Sequence, residues 1–219
     1  MPLKTQKPIL YLITSGATTA ATRISSKEFQ DLLTLVRAAV AAHIDLVQLR
    51  EKNLTARMLY ELTARAAEMT RDSGTRLLIN DRSDVAEAAG ADGVHLTTNS
   101  VEASVIRGTF GREFVIGVST HSLSEACAAR DAGADFAVFG PVFETGSKRQ
   151  YGSPVGLEAL REAAGALASF PILAIGGISL TNASACLRAG AGGIAAIGLF
   201  ANSESLKSVV AAITEQADD

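Results

Sequence analysis

One sequence motif occurs three times along the chain, and it constrains the fold more than any other feature. The three copies are Ala-Gly-Ala-Asp-Gly-Val-His-Leu ending at Leu96, Ala-Gly-Ala-Asp-Phe-Ala-Val-Phe-Gly ending at Gly140, and Ala-Gly-Ala-Gly-Gly-Ile-Ala-Ala-Ile-Gly ending at Gly198. Each copy predicts a helix that stops at a glycine cap and leads directly into a short apolar strand. Apolar strands without polar alternation are typical of a parallel sheet covered by helices.

Eight such strands alternate with helical patterns. The predicted strands are Ile9–Thr14, Asp45–Arg50, Arg76–Asn80, Gly93–Leu96, Phe114–Ser119, Phe136–Val142, Pro171–Gly177 and Gly193–Gly198. The predicted helices include Ser26–Ala42, Thr55–Ser73, Ser83–Ala89, Ser122–Ala132, Gly156–Leu167, Asn182–Ala189 and Ser203–Gln216. This order predicts a (β/α)₈ TIM barrel that forms one domain over residues 1–219. A doubly wound open sheet is the alternative, although no Gly-x-Gly-x-x-Gly follows the first strand.

Composition and charge narrow the class of protein. Of the 219 residues, 47% are apolar and 20% are charged, and a chain of this size can bury a sufficient core without disulfides or a structural metal. Lys and Arg number 20 against 23 Asp and Glu, a formal net charge of −3. Because no overall positive field would attract nucleic acid or an anionic membrane, we expect neither as a partner.

Two apolar passages could be mistaken for a targeting or membrane segment. The Ile9–Ile13 passage is shorter than the apolar core of a secretory signal, and the Ala163–Leu180 passage is interrupted by a proline and two glycines. We therefore expect a cytoplasmic protein. The sequence leaves the oligomeric state open, a homo-oligomer included.

The candidate active-site residues are those at the carboxyl ends of the strands, where barrels of this kind carry their active sites. The second strand ends with Gln48, Arg50 and Lys52, which share one face because strand side chains alternate. Two cations and an amide on one face favour an anionic ligand. The alternative is a solvated loop whose charges do not converge.

Polar residues also end the third and fifth strands. Asn80 and Asp81 are typical either of a helix cap or of metal ligands. Ser119 and His121 share a face, and a histidine there has a pKa suited to acid/base catalysis. The alternative for His121 is a cap on the next helix.

The last three strands carry residue types that bind phosphate. Hydroxyls, a glycine and cations occupy the loop after the sixth strand, and glycines end the seventh and eighth strands, where this fold usually binds phosphate. We therefore predict a phosphorylated small-molecule ligand. Its phosphate lies at the ends of the seventh and eighth strands, near Gly177, Ile197 and Gly198, and Lys148 in the loop after the sixth strand adds a cation.

With these motifs the chain resembles the thiamin-phosphate synthase and TenI superfamily over Leu10–Phe200. The motifs that carry the resemblance are Gln48–Lys52, Ile79–Arg82, Ala91–Leu96, Gly117–Ser122 and Ala174–Ile178. The resemblance implies a barrel. For the synthase branch, it implies that Gln48, Arg50, Lys52, Asn80 and Lys148 bind a pyrimidine diphosphate, that Thr145, Ser147, Gly177, Ile197 and Gly198 bind a thiazole phosphate, and that Asp81 binds Mg²⁺.

The chain departs from the synthase pattern at three places. Ser100 stands where the pattern has a second metal-binding carboxylate, and a hydroxyl does not replace that charge. The loop Phe143-Glu144-Thr145 is similar to the TenI branch, and Gly198 replaces a serine common to both branches.

These departures favour a TenI-type thiazole tautomerase as the first hypothesis. By this resemblance His121 would move the proton that aromatises a thiazole carboxylate phosphate, with Ser119 and the second-strand cations orienting the carboxylate and no metal or other cofactor expected. The second hypothesis is a Mg²⁺-dependent thiamin-phosphate synthase. The third is a non-catalytic phosphate-binding or regulatory protein.

Overall fold

The computed structural model describes residues 8–145 and 153–218, and within them eight strands alternate with eight α-helices. In chain order the elements are β1 Ile9–Ile13, α1 Lys27–Ala41, β2 Leu46–Leu49, α2 Ala56–Thr70, β3 Arg76–Asn80, α3 Ser83–Ala89, β4 Gly93–Leu96, α4 Ala103–Phe110, β5 Val115–Thr120, α5 Leu123–Asp131, β6 Phe136–Phe139, α6 Gly156–Ala166, β7 Ile172–Ala174, α7 Ala183–Arg188, β8 Gly193–Ala196 and α8 Leu206–Asp218. A short 3₁₀ helix, Gly198–Phe200, follows β8.

The strands form a closed parallel barrel in which each strand pairs with its sequence neighbours and β1 pairs with β8. The predicted (β/α)₈ barrel is therefore confirmed, and the open sheet is excluded. Among the described residues, none of the helices is both long and apolar enough to cross a membrane.

Side-chain alternation along the strands separates two apolar clusters. Leu10 and Leu12 of β1 pack with helix residues such as Phe29, in the layer between sheet and helices. Ile9, Tyr11 and Ile13 have the opposite parity and belong to the second cluster, which fills the barrel interior. The other interior members are Leu46, Leu78, Val115, Phe136, Val138, Leu173 and Ala195.

The last three strands end earlier than the sequence pattern predicts. β7 ends at Ala174 because Gly176 and Gly177 have φ angles of 97° and 64°, in the left-handed region that a strand cannot include. β8 ends at Ala196 because the next residue turns into the helical region before the 3₁₀ helix. Gly177 therefore lies in the loop after β7, and Gly198 lies in the 3₁₀ helix after β8. The sequence analysis also did not identify α4, in which Gly108 and three β-branched residues lower helix propensity.

Aspartates tie the strands together at the amino-terminal end of the barrel. Asp45, Asp92 and Asp135 each precede a strand, and each carboxylate accepts a backbone hydrogen bond from the preceding strand, at 2.8, 2.8 and 2.7 Å. Two of these, Asp92 and Asp135, belong to the repeated motif. The motif therefore provides a hydrogen bond between neighbouring strands as well as a helix end.

We predict that Asp135→Ala lowers the free energy of unfolding by about 2–3 kcal/mol, since its carboxylate also pairs with Arg107 at 2.7 Å and both partners lose a charged hydrogen bond. Urea denaturation measures the change. Asp131→Ala is the control, because Asp131 is 66% exposed and pairs only at the surface with Arg130, and it should change stability by less than about 0.5 kcal/mol. Equal effects of the two substitutions would contradict a role for the amino-terminal aspartates.

Candidate active site at the carboxyl ends of the strands

Strand register brings Gln48 and Asn80 to the carboxyl-terminal end of the barrel interior, as their parity predicts. Gln48 lies opposite Ile13 and Leu78, both of which are interior residues, and Asn80 lies opposite His95. Gln48 and Asn80 are both buried. The amides that the sequence analysis selected therefore form part of the floor of the barrel mouth.

His95 and Tyr11 complete this floor, and the sequence analysis did not select either as a site residue. His95 is buried, and its Nε2 lies 2.9 Å from the hydroxyl of Ser119. The Tyr11 ring lies 5.6 Å from the His95 ring. Gly117 makes this packing possible, because a Cβ there would stand 2.4 Å from Phe136 and 2.8 Å from His95. The available signal was a histidine with interior parity inside an otherwise apolar strand.

The floor residues are held in a low-dielectric environment. Burial raises the pKa of Tyr11 well above its usual value, and the neighbouring Gln48 side chain offsets part of that rise. Tyr11 therefore stays neutral across the physiological pH range. Its hydroxyl is buried beside Gln48 and carries no charge.

Lys52, Asn80 and Asp81 line one cleft between the ends of β2 and β3. The cleft has a volume of about 260 Å³ and is also lined by Leu49, Glu51, Leu54, Leu59 and Arg82. Arg50 is half-buried beside it, and its backbone N–H donates to Thr14 Oγ1 at 2.8 Å. A cation, an amide and a carboxylate on one cleft suit a polyanion that carries a metal ion.

The carboxylate of Asp81 is oriented by two neighbours. Asn80 Nδ2 donates to Asp81 Oδ2 at 2.7 Å, and the Ser100 hydroxyl donates to Asp81 Oδ1. Asp81 has a φ of 60°, a left-handed conformation that Asp and Asn tolerate better than most residues. The residue at position 100 is thus in direct contact with Asp81, as expected for two members of one ligand set.

These residues fit a magnesium ion. Mg²⁺ takes oxygen ligands, and one carboxylate is enough when substrate phosphates and water complete its shell. Asp81 provides the carboxylate and Ser100 a neutral oxygen beside it. No cluster of three or more His, Cys, Asp or Glu side chains suited to a metal occurs in the described part of the chain.

His121 lies at the rim of the mouth, at the start of α5. Its side chain is 35% exposed, and its Nδ1 lies 3.2 Å from Glu125 Oε2. The same carboxylate oxygen accepts the backbone N–H of His121 at 2.7 Å, while the Ser122 hydroxyl caps the helix by accepting from the Glu125 N–H. The side chain that caps α5 is therefore that of Ser122 and not that of His121.

The predicted phosphate residues are only partly within the described chain. The loop after β6 is hydrogen-bonded to the residues that follow β7, because Val142 N–H donates to Ile175 O and Phe143 N–H donates to Gly176 O. Thr145, in the same loop, is half-buried. Ser147 and Lys148 lie outside the described residues. Ile197 and Gly198 stand at the start of the 3₁₀ helix after β8.

Comparisons with known proteins agree with this architecture. A family model described as thiamine monophosphate synthase (TMP-TENI) matches residues 10–200. A putative thiamine-phosphate synthase of Geobacter sulfurreducens is 48% identical over 168 residues, which are 77% of this chain and 78% of that protein. A thiamine-phosphate synthase of Moorella thermoacetica is 46% identical over 165 residues, 75% of this chain and 78% of its own.

A solved structure leads to the same family. Thiamine phosphate pyrophosphorylase from Pyrococcus furiosus superposes with a TM-score of 0.81 at 30% identity, covering 98% of this chain and 97% of its own.

The relatives overturn the tautomerase prediction. Proteins that are 42–48% identical to this chain are named as synthases, so the preference for an isomerase was wrong. The error came from the weight given to Ser100 and to the Phe143-Glu144-Thr145 loop. One carboxylate does not exclude a metal that also binds substrate phosphates, and the similarity to the synthases covers about three quarters of the chain, 77% and 75% for the two described above. The chain belongs to the thiamine monophosphate synthase family.

Proposed function

We propose that the protein is a thiamine-phosphate synthase, a transferase that joins hydroxymethylpyrimidine diphosphate to a thiazole phosphate. The observation that carries the proposal is the cleft that gathers Lys52, Asn80 and Asp81. A diphosphate with its metal ion needs a cation, a polar amide and a carboxylate at short range. The names of the relatives support the same reaction.

The reaction breaks the bond between the methylene carbon of the pyrimidine and the diphosphate oxygen. The same carbon forms a bond to the thiazole ring nitrogen, and inorganic diphosphate leaves with the bonding electron pair. Negative charge therefore builds up on the leaving group. Arg50 and Lys52 stabilise that charge, and Gln48 and Asn80 orient the diphosphate through their amides.

Asp81 is the residue that would hold Mg²⁺, with Ser100 beside it. When bound, Mg²⁺ supplies further charge neutralisation on the leaving diphosphate. The thiazole phosphate is assigned to Thr145, Gly177, Ile197 and Gly198, together with Ser147 outside the described residues. Lys148, also outside them, is assigned to the diphosphate. The two substrates would then approach from opposite sides of the mouth, β2–β3 and β6–β8.

We predict that Asp81→Asn lowers kcat/KM for thiamine phosphate formation by roughly 100-fold, on the order of 2.7 kcal/mol, since the amide cannot supply the charge. Asparagine also tolerates the φ of 60° at this position, so the backbone is kept. The assay measures thiamine phosphate and released diphosphate in the presence of Mg²⁺.

Asp131→Asn is the matched control, because Asp131 is 66% exposed on α5 and pairs with Arg130 at the surface, and neither residue lines the cleft. It should retain activity within about twofold. A loss of less than tenfold in Asp81→Asn would remove Asp81 from the proposed role. Binding of both substrates by the wild type without any diphosphate release would contradict the synthase.

We further predict that Ser100→Asp tightens Mg²⁺ binding roughly tenfold, or about 1.4 kcal/mol, since a second carboxylate would face Asp81. Calorimetric titration of Mg²⁺ in the presence of inorganic pyrophosphate measures the change. Ser104→Asp adds the same charge on α4, where the Ser104 hydroxyl contacts Glu102, and it should leave the Mg²⁺ affinity within about twofold. Equal tightening in both variants would point to general charge and not to a ligand at position 100.

A further inference from the structure

Glu51 is a buried carboxylate at the mouth to which the proposed reaction assigns no part. It is only 3% exposed. Its Oε1 accepts from the Thr14 hydroxyl at 2.6 Å and from the Gly16 N–H at 3.2 Å. Its Oε2 accepts from the Thr18 hydroxyl at 2.7 Å and from the Thr18 N–H at 3.2 Å. A buried carboxylate persists only when hydrogen bonds of this kind compensate its desolvation.

These contacts, which we term the Glu51 clamp (Glu51, Thr14, Gly16 and Thr18), join two loops. Residues 14–18 follow β1, whereas Glu51 stands between Arg50 and Lys52 after β2. The Thr14 hydroxyl that donates to Glu51 also accepts the Arg50 N–H at 2.8 Å. One threonine thus connects the carboxylate directly to the backbone that carries the first cation.

The first loop packs closely on that backbone. Gly16 has a φ of 80°, and a Cβ there would stand 3.2 Å from the carbonyl oxygen of Arg50. The Thr14 N–H donates to Gln48 O at 3.0 Å, and Asn53 Nδ2 approaches Thr18 O at 3.4 Å. The segment from Gln48 to Asn53 is therefore held against the β1 loop at four of its residues, Gln48, Arg50, Glu51 and Asn53.

We infer that Glu51 is a positioning residue, which sets the directions in which Arg50 and Lys52 leave the end of β2 and so shapes the site for a diphosphate. Long cationic side chains bind an anion more weakly when their backbone is free to move, because binding must then order it. This inference rests on the proposed function, which assigns the diphosphate to these two cations.

Simple electrostatics predicts the opposite effect of the same residue. A carboxylate beside an anion site repels the anion, so its neutralisation should tighten binding. Positioning predicts that neutralisation weakens binding. In Glu51→Gln an NH₂ group replaces one carboxylate oxygen, and this donor would face the N–H and O–H donors of the clamp, so their hydrogen bonds to that position are lost. The sign of the change in Glu51→Gln therefore separates the two accounts.

The experiment titrates inorganic pyrophosphate calorimetrically into the wild type, Glu51→Gln, Thr14→Val, Thr14→Ser and Thr75→Val. Positioning predicts a dissociation constant at least fivefold higher in Glu51→Gln and Thr14→Val, and within twofold of the wild type in Thr14→Ser, which keeps the bridging hydroxyl. Thr75→Val is the control for lost stability. It removes a buried hydroxyl that donates to Ile44 O at 2.7 Å just before β3, at the opposite end of the barrel, and should bind normally.

Hydrogen exchange supplies a direct measure of the clamp. The amides of Gly16 and Thr18 donate to Glu51, so their exchange relative to strand amides should rise in Glu51→Gln and not in Thr75→Val. If the wild type binds pyrophosphate and Glu51→Gln binds it equally or more tightly, the positioning role is overturned and the proposed function stands. If the wild type does not bind pyrophosphate, the diphosphate site fails and the inference fails with it. The Thr14 pair gives the same decision if Glu51→Gln does not fold.

Discussion

Closure of the parallel sheet is the constraint on which the rest of this molecule depends. β1 pairs with β8, with Ile9 opposite Gly193, so every strand has a neighbour on both sides. Because side chains alternate along each strand, register and parity together decide which groups enter the barrel. Gln48, Asn80 and His95 enter at the carboxyl-terminal end, whereas Leu49 and Ile79 pack against the helices. A single slip of register would exchange these two sets and remove the floor of the mouth.

The two ends of the barrel use charged residues in different ways. At the amino-terminal end, Asp45, Asp92 and Asp135 are bound to strand N–H groups, which suits a role in stability. At the carboxyl-terminal end, Lys52 and Asp81 line an open cleft and keep charge available to a ligand. Glu51 shares features of both ends. Its carboxylate is hydrogen-bonded within the protein, by Thr14 and Thr18, and in the sequence it lies between Arg50 and Lys52, the two cations of the mouth. It is the point where the stability of the loops and the geometry of the site are coupled.

The pair of Asp81 and Ser100 shows why the serine at position 100, where the synthase pattern has a carboxylate, was a poor guide to function. A hydroxyl at position 100 removes a charge, yet it still orients the remaining carboxylate through a hydrogen bond. A diphosphate brings several anionic oxygens of its own, so the protein does not have to supply all the charge that a magnesium ion requires. A serine in place of one carboxylate would therefore alter how the charge around a bound metal ion is shared between protein and substrate. It does not decide whether the chemistry needs a metal.

The sequence alone was sufficient for those features that local pattern encodes. Apolar segments after glycine caps predict the number and order of the strands. The alternation of side chains along a strand predicts that Gln48, Arg50 and Lys52 share one face of the second strand. The strand ends were less well predicted, since Gly176 and Gly177 leave the extended conformation before the apolar pattern stops.

Only the tertiary structure decided the contacts between loops. Glu51 meets Thr14 and Thr18 across more than thirty residues of chain, and Ser100 meets Asp81 across 19. In the sequence, Glu51 is one charge among several and Ser100 is a missing carboxylate. Their partners are brought to them by the pairing of β1 with β2 and of β3 with β4, and a local pattern of residues carries no information on which distant loop will lie beside it.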